Sequence, residues 1–104
     1  MTTNDGAPTG SIPGWADFFR EGLAPVPVIL ILRGTTPEEA VAAARAAWSA
    51  GVRLVEVTQE SEAGAPALEA VVSAAEGRLP VGAGTVTTPE RLRRAVDAGA
   101  EFGV

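Results

Sequence analysis

A glutamate stands in the middle of an apolar run, Leu54-Val55-Glu56-Val57-Thr58, and that placement needs a chemical reason. Burying a carboxylate costs several kcal/mol unless it is paired or protonated. One answer is a general acid or base whose pKa is raised by its surroundings. The other is a buried ion pair with Arg33, one strand away. Arg33 closes the run Val28-Ile29-Leu30-Ile31-Leu32 and precedes Gly34. A guanidinium at such a strand end can hold a carboxylate or phosphate through two parallel hydrogen bonds; pairing with Glu56 and plain solvation are its alternatives. The third group is Thr85, which follows Val81-Gly82-Ala83-Gly84. The glycines admit close approach of a ligand, and backbone N–H groups near Gly84 together with the Thr85 hydroxyl can donate to a carboxylate. A threonine that serves only a turn or a cap is the plainer account.

What the chain lacks narrows the chemistry further. It has no cysteine and no histidine, and all eight of its basic residues are arginine. Thiol chemistry, imidazole acid–base work and most transition-metal sites are thereby removed. So is covalent catalysis by a side-chain amine within these residues. Gly82-Ala83-Gly84 resembles the start of a dinucleotide fingerprint, but Thr87 occupies the third glycine's place and the glycines lie within the strand, so no cofactor is expected. Arg91, Arg93 and Arg94 read as a solvated helix face. A net charge of -5 argues against nucleic acid, which rewards clustered positive charge.

With 46% hydrophobic and 20% charged residues, the 104-residue chain has the composition of one modest globular domain. Residues 1–14 are rich in Thr, Gly, Ser and Pro and read as a flexible arm, which leaves 15–104 as the domain. The N-terminus has no basic start followed by an apolar run, and no segment reaches the roughly 20 apolar residues of a membrane span. The expectation is a cytoplasmic protein.

The elements that position these residues form a repeat. Thr35-Thr36-Pro37-Glu38 recurs as Thr87-Thr88-Pro89-Glu90, and Ser49-Ala50-Gly51 is echoed by Asp97-Ala98-Gly99. Each unit reads as strand, turn, capped helix, glycine stop. Thr36 and Thr88 are the N-caps with proline after them, and Glu39 completes a capping box. Helical stripes fall at Val41, Ala44 and Trp48, at Leu68, Val71, Val72 and Ala75, and at Leu92, Ala95 and Val96. Between them, Val26 to Leu32, Val52 to Thr58 and Pro80 to Val86 are short β-branched runs suited to a parallel sheet covered on both faces. A further helix over about 15–21 precedes the first strand, with Trp15, Phe18 and Phe19 as a packing face. Residues 101–104 begin a fourth strand.

Periodicity alone does not separate a doubly wound sheet from part of a (β/α)8 barrel. Counting by twos puts Ile29, Ile31 and Arg33 on one face, with Leu54, Glu56 and Thr58, and with Val81, Ala83 and Thr85. Each set begins apolar and ends polar at its C-terminal tip, as the inward face of a barrel does.

At these residues the chain resembles the class I pyruvate aldolases that cleave 2-keto-3-deoxy-6-phosphogluconate and 4-hydroxy-2-oxoglutarate. The resemblance runs from about Trp15 to Val104 and rests on Leu32-Arg33-Gly34, on Gly51-Val52-Arg53-Leu54-Val55-Glu56-Val57-Thr58 and on Val81 to Glu90. It implies the N-terminal part of a (β/α)8 barrel, about three and a half βα units, in a family that is usually homotrimeric and uses neither metal nor organic cofactor. It implies a lyase acting on a small 2-keto acid through a Schiff base, with Glu56 as the proton-shuttling glutamate. Thr85 then matches the threonine that holds the pyruvate carboxylate, and Arg33 matches the arginine of the anion site. Two departures stand out: Glu60 occupies the place of a family arginine, and the chain contains no Schiff-base lysine. Two functions follow as expectations, part of such an aldolase or a non-catalytic half-barrel that binds a small anion or assembles with a partner half.

Overall fold

The structure, a computed structural model, describes residues 14–104. Eight elements alternate along it: α1 (Trp15–Leu23), β1 (Ile29–Leu32), α2 (Pro37–Ser49), β2 (Leu54–Thr58), α3 (Gly64–Ala75), β3 (Val81–Gly84), α4 (Pro89–Ala98) and β4 (Phe102–Gly103). The repeated Thr-Thr-Pro-Glu segments start helices as their chemistry dictates. The Thr36 and Thr88 hydroxyls accept the N–H groups of Glu39 and Arg91, each at 3.1 Å. The Glu39 carboxylate returns the favour by accepting the Thr36 N–H at 3.0 Å, closing the capping box. Gly51 and Gly99, at φ +95° and +101°, turn the chain out of α2 and α4 in a conformation that side chains disfavour.

All four strands are parallel and lie side by side in chain order, β1-β2-β3-β4. A doubly wound sheet would place its first strand between later ones; the sequential order is that of a barrel wall. The strands are shorter than their apolar runs suggest. Before β1 the Val28 N–H bonds the Val26 carbonyl at 2.8 Å, a three-residue turn around Pro27 that delays the strand to Ile29. β3 ends at Gly84 because Thr85 adopts a left-handed φ of +53°.

One face of the sheet packs on the helices. Leu32, Val55, Val57, Val81 and Ala83 meet Ala40 and Ala44 of α2 and Leu68, Val71 and Ala75 of α3. Register fixes the other face: Glu56 stands beside Gly82 and Thr58 beside Gly84. Val81 and Ala83 therefore face the helices, not the inward side that counting by twos assigned them. Glycines at 82 and 84 hid the correct parity, since a strand whose inward residues lack side chains shows its apolar residues on the outward face.

α1 covers the lower end of the inward face. A side chain at Gly22 would overlap Leu54, and one at Gly82 would overlap the Phe102 ring. Phe18 and Phe19 stack edge-on against that ring at centroid distances of 5.7 and 5.6 Å, with Trp15 behind them. The expected aromatic packing face is present. The α4 stripe is not buried as expected: Ala95 is in the core, whereas Leu92 and Val96 are 53% and 62% exposed. They border a cavity of about 190 Å³ beside β4, which Trp15 of α1 also lines. Of the expected arm, residues 1–13 lie outside the described residues.

Candidate active site

Glu56 is the chemical centre of the inward face. It is 7% exposed, in a strand buried along its whole length. Its carboxylate leans toward the C-terminal tip of the neighbouring strand and lies over Gly84, where any side chain would collide with it. That contact explains why position 84 is glycine better than ligand access does, and parity makes it legible: Gly84 is two residues beyond Gly82, the lateral partner of Glu56. Burial holds the Glu56 carboxyl above its ordinary value, and the nearby Arg33 charge offsets this only in part. A carboxyl so placed exchanges a proton at a pH where an exposed glutamate stays ionised.

Arg33 does not pair with Glu56. Its guanidinium bonds Oε2 of Glu60, in the loop after β2. Both strand tips meet there, so the ion pair joins the exits of β1 and β2. Glu60 moves opposite to Glu56: the Thr58 hydroxyl, its own main-chain N–H and then Arg33 hold its carboxyl below the ordinary value. Two glutamates four residues apart are thus separated in acidity, one shifted above its ordinary value and one below it. Separation of that kind is how a single site obtains distinct acid and anion roles.

Thr85 is half-buried at the exit of β3. A β-branched residue at φ +53° is uncommon and carries on the order of 1–3 kcal/mol of strain, which persists where the surroundings fix it. The next residue is tied down, with the Val86 N–H bonding the Val104 carbonyl at 2.9 Å. Arg33, Gly84 and Thr85 lie at the C-terminal end of the sheet, and the Glu56 carboxylate reaches toward that end from the middle of β2. The left-handed turn interrupts strand alternation at Thr85, so alternation does not assign its face.

Two supporting residues escaped the sequence reading. Gln59 is buried, and its amide donates to the carbonyls of Val57, Thr58 and Gly64 at 3.0–3.2 Å while its N–H bonds the Gly84 carbonyl at 2.8 Å. It clamps the exit of β2 to α3 and β3; a polar side chain directly after an apolar strand was the available signal. Arg91 is not part of a solvated face. It donates to the Thr87 hydroxyl at 3.0 Å and the Glu60 carbonyl at 3.3 Å, bracing the loop that carries Glu60.

A wider cavity, about 500 Å³, lies at the opposite end of the sheet between α1 and the strand entrances, bordered by Gly22, Arg53, Arg78, Pro80 and Glu101. In parallel α/β sheets chemistry gathers at strand exits, so its size does not make it the active site. Among the described residues no group of three or more acidic residues is placed to hold a metal, and no helix is long and apolar enough to cross a membrane.

Comparison with known proteins gives a consistent answer. The family described as KDPG and KHG aldolase matches residues 20–104. The KHG/KDPG aldolase of Escherichia coli K12 is 38% identical over 79 residues, 76% of this chain and 35% of that protein. The 2-dehydro-3-deoxy-6-phosphogalactonate aldolase of the same organism is 41% identical over 78 residues, covering 75% and 36%. Among solved structures, a Legionella pneumophila KDPG aldolase with pyruvate captured as a covalent carbinolamine superimposes with a TM-score of 0.69 at 34% identity, over 77% of this chain and 38% of that one. The chain spans between a third and a half of the length of the relatives it matches.

Proposed function

The chain belongs to the KDPG and KHG aldolase family, and from that premise we propose that it is the acid–base and anion-binding part of a barrel that cleaves a 2-keto-3-deoxy-6-phosphogluconate or 4-hydroxy-2-oxoglutarate substrate to pyruvate and an aldehyde. The observation that carries this reading is the buried Glu56 carboxyl, raised in pKa and seated over Gly84 at the strand exits. Glu56 shuttles the protons that carbon–carbon cleavage requires, through a water held against it. Arg33, Thr85 and backbone groups near Gly84 hold the substrate carboxylate. The amine that forms the Schiff base must come from outside these 104 residues, which contain no lysine, so the chain alone is inactive. A trimeric, cytoplasmic enzyme needing no cofactor completes the proposal.

The test is a fusion of this chain to the remaining strands of the Escherichia coli relative, assayed for pyruvate release with and without Glu56→Gln. Loss of a general acid–base group lowers turnover by about 10²–10⁴-fold. A folded, active fusion indifferent to Glu56→Gln would overturn the role.

A second reading is favoured by a separate observation, the apolar residues left open at both sheet edges: Ile29 and Ile31 by β1, Leu92, Val96 and Val104 by β4. On that reading the chain is a half-barrel that binds a small anion or docks with a complementary half.

A further inference from the structure

Arg33 offers a guanidinium at the exit of β1, and a carboxylate of the chain itself already occupies it. Glu60 reaches it from 27 residues away, so the contact is tertiary and not a local accident. The Glu60 side chain is 32% exposed against 60% for Arg33, so the acid is held in place and the base is the open partner. Its main chain is braced on both sides, by the Arg91 bond to its carbonyl and by the Gln59 clamp before it. The Thr58 hydroxyl also acts on the Glu60 carboxylate and favours its charged form.

A guanidinium on one carboxylate oxygen, with the Thr58 hydroxyl also acting on the carboxylate, is how a small carboxylate would be received. The geometry points to Glu60 as a tethered occupant of the Arg33 anion seat, one that an incoming carboxylate must displace before it binds. This rests on the reading of Arg33 as a substrate-binding residue and adds a specificity determinant to it. Once displaced, Glu60 stays beside the new anion, and like charges at that range repel. The seat therefore accepts carboxylates more weakly than Arg33 alone would, and the position of one glutamate sets the threshold.

Acetate is the probe, because it has a carboxylate and no ketone and so reports the seat independently of any aldolase chemistry. Calorimetric titration of the full chain and of Glu60→Gln, which keeps the shape and removes the charge, is expected to show acetate binding on the order of tenfold tighter in the variant. Adding Arg33→Gln should abolish that gain. In the unaltered chain, saturating acetate should shift the carboxyl carbon resonance of Glu60 as it leaves Arg33, a measurement that needs no variant to fold. Equal affinities with and without Glu60→Gln, or acetate binding that leaves the Glu60 resonance unmoved, overturn the proposal. The aldolase reading is tested apart from this, in the fusion assay with Glu56→Gln, and its failure there leaves the role of Glu60 standing.

Discussion

The Glu56 carboxylate fills the space that a side chain at Gly84 would need, so the acid on β2 and the glycine on β3 are one structural decision. Gly82, one step lower on the same face, is matched in the same way to the Phe102 ring.

The two glycines differ in what they would displace. Gly84→Ala meets the end of a flexible side chain, so Glu56 should swing toward solvent with little loss of stability. Its pKa should then fall back toward the ordinary 4.5. Gly82→Ala meets a ring wedged against Phe18 and Phe19. Overpacking of that kind costs about 1–3 kcal/mol. Urea denaturation of both variants, with carboxyl NMR titration of Glu56, checks the contrast; equal losses would show that Glu56 is as fixed as the ring.

The opposed glutamates make a signed prediction about pH. Glu56 has a raised folded pKa, so its contribution to stability is complete below its ordinary 4.5 and is lost as pH rises through the folded value. Glu60 has a lowered one, so its contribution is complete above 4.5 and is lost as pH falls through the folded value. Glu56→Gln should therefore flatten the decline on the alkaline side, and Glu60→Gln should flatten the acid side. Urea midpoints measured from about pH 3 to about pH 8 decide, and an exchange of the two effects would refute the assignment.

Much of this arrangement was legible in the sequence, for physical reasons. Caps, proline starts and glycine stops are local chemistry, so Thr36, Thr88, Gly51 and Gly99 announce α2 and α4 without tertiary help. Glu56 was conspicuous because a charge inside an apolar strand is costly. Parity failed in β3 because the inward residues are glycines, and Glu60 was not among the partners considered for Arg33 because it reaches the guanidinium from the β2 exit loop, a tertiary contact that no local pattern announces. Leu92 and Val96 showed a helical stripe, but a stripe does not say whether a neighbour is there to receive it.

Thr85 stores strain that can be released. Left-handed backbone costs a side-chain-bearing residue about 1–2 kcal/mol, and glycine avoids this while adding about 0.5–1 kcal/mol of unfolded-state entropy. Thr85→Gly should leave stability unchanged or raise it by up to about 1 kcal/mol while weakening carboxylate binding. A marked loss of stability would mean that the threonine side chain holds the turn together and that its conformation has no functional origin.

Borohydride reduction with pyruvate should leave no adduct on any internal residue of the 104-residue chain. A carbinolamine needs an amine, and here only the α-amino group of Met1 supplies one. Mass spectrometry of the reduced protein locates any adduct. One found within the folded core would contradict the argument that the reactive amine lies outside these residues.

The chain should also associate through its two sheet edges. β1 and β4 each pair on one side only, and a strand with unpaired N–H and C=O groups recruits another. Apolar surface accompanies both edges: Val28, Ile29 and Ile31 at the first are 48%, 36% and 53% exposed, and Leu92, Val96 and Val104 at the other are 53%, 62% and 69% exposed. Leu54 and Val81 do not add to it, the first being covered by α1 and the second turned toward the helices. Soluble monomers rarely expose contiguous apolar patches beyond a few hundred Å², so size-exclusion chromatography with light scattering should find oligomers or aggregate. Ile31→Thr combined with Val96→Arg should reduce association by removing one contact from each edge, with the near-UV tryptophan bands unchanged. A sharp monomer peak from the unaltered chain, with strong tryptophan bands, would mean that the sheet closes its edges in a way the strand order does not reveal.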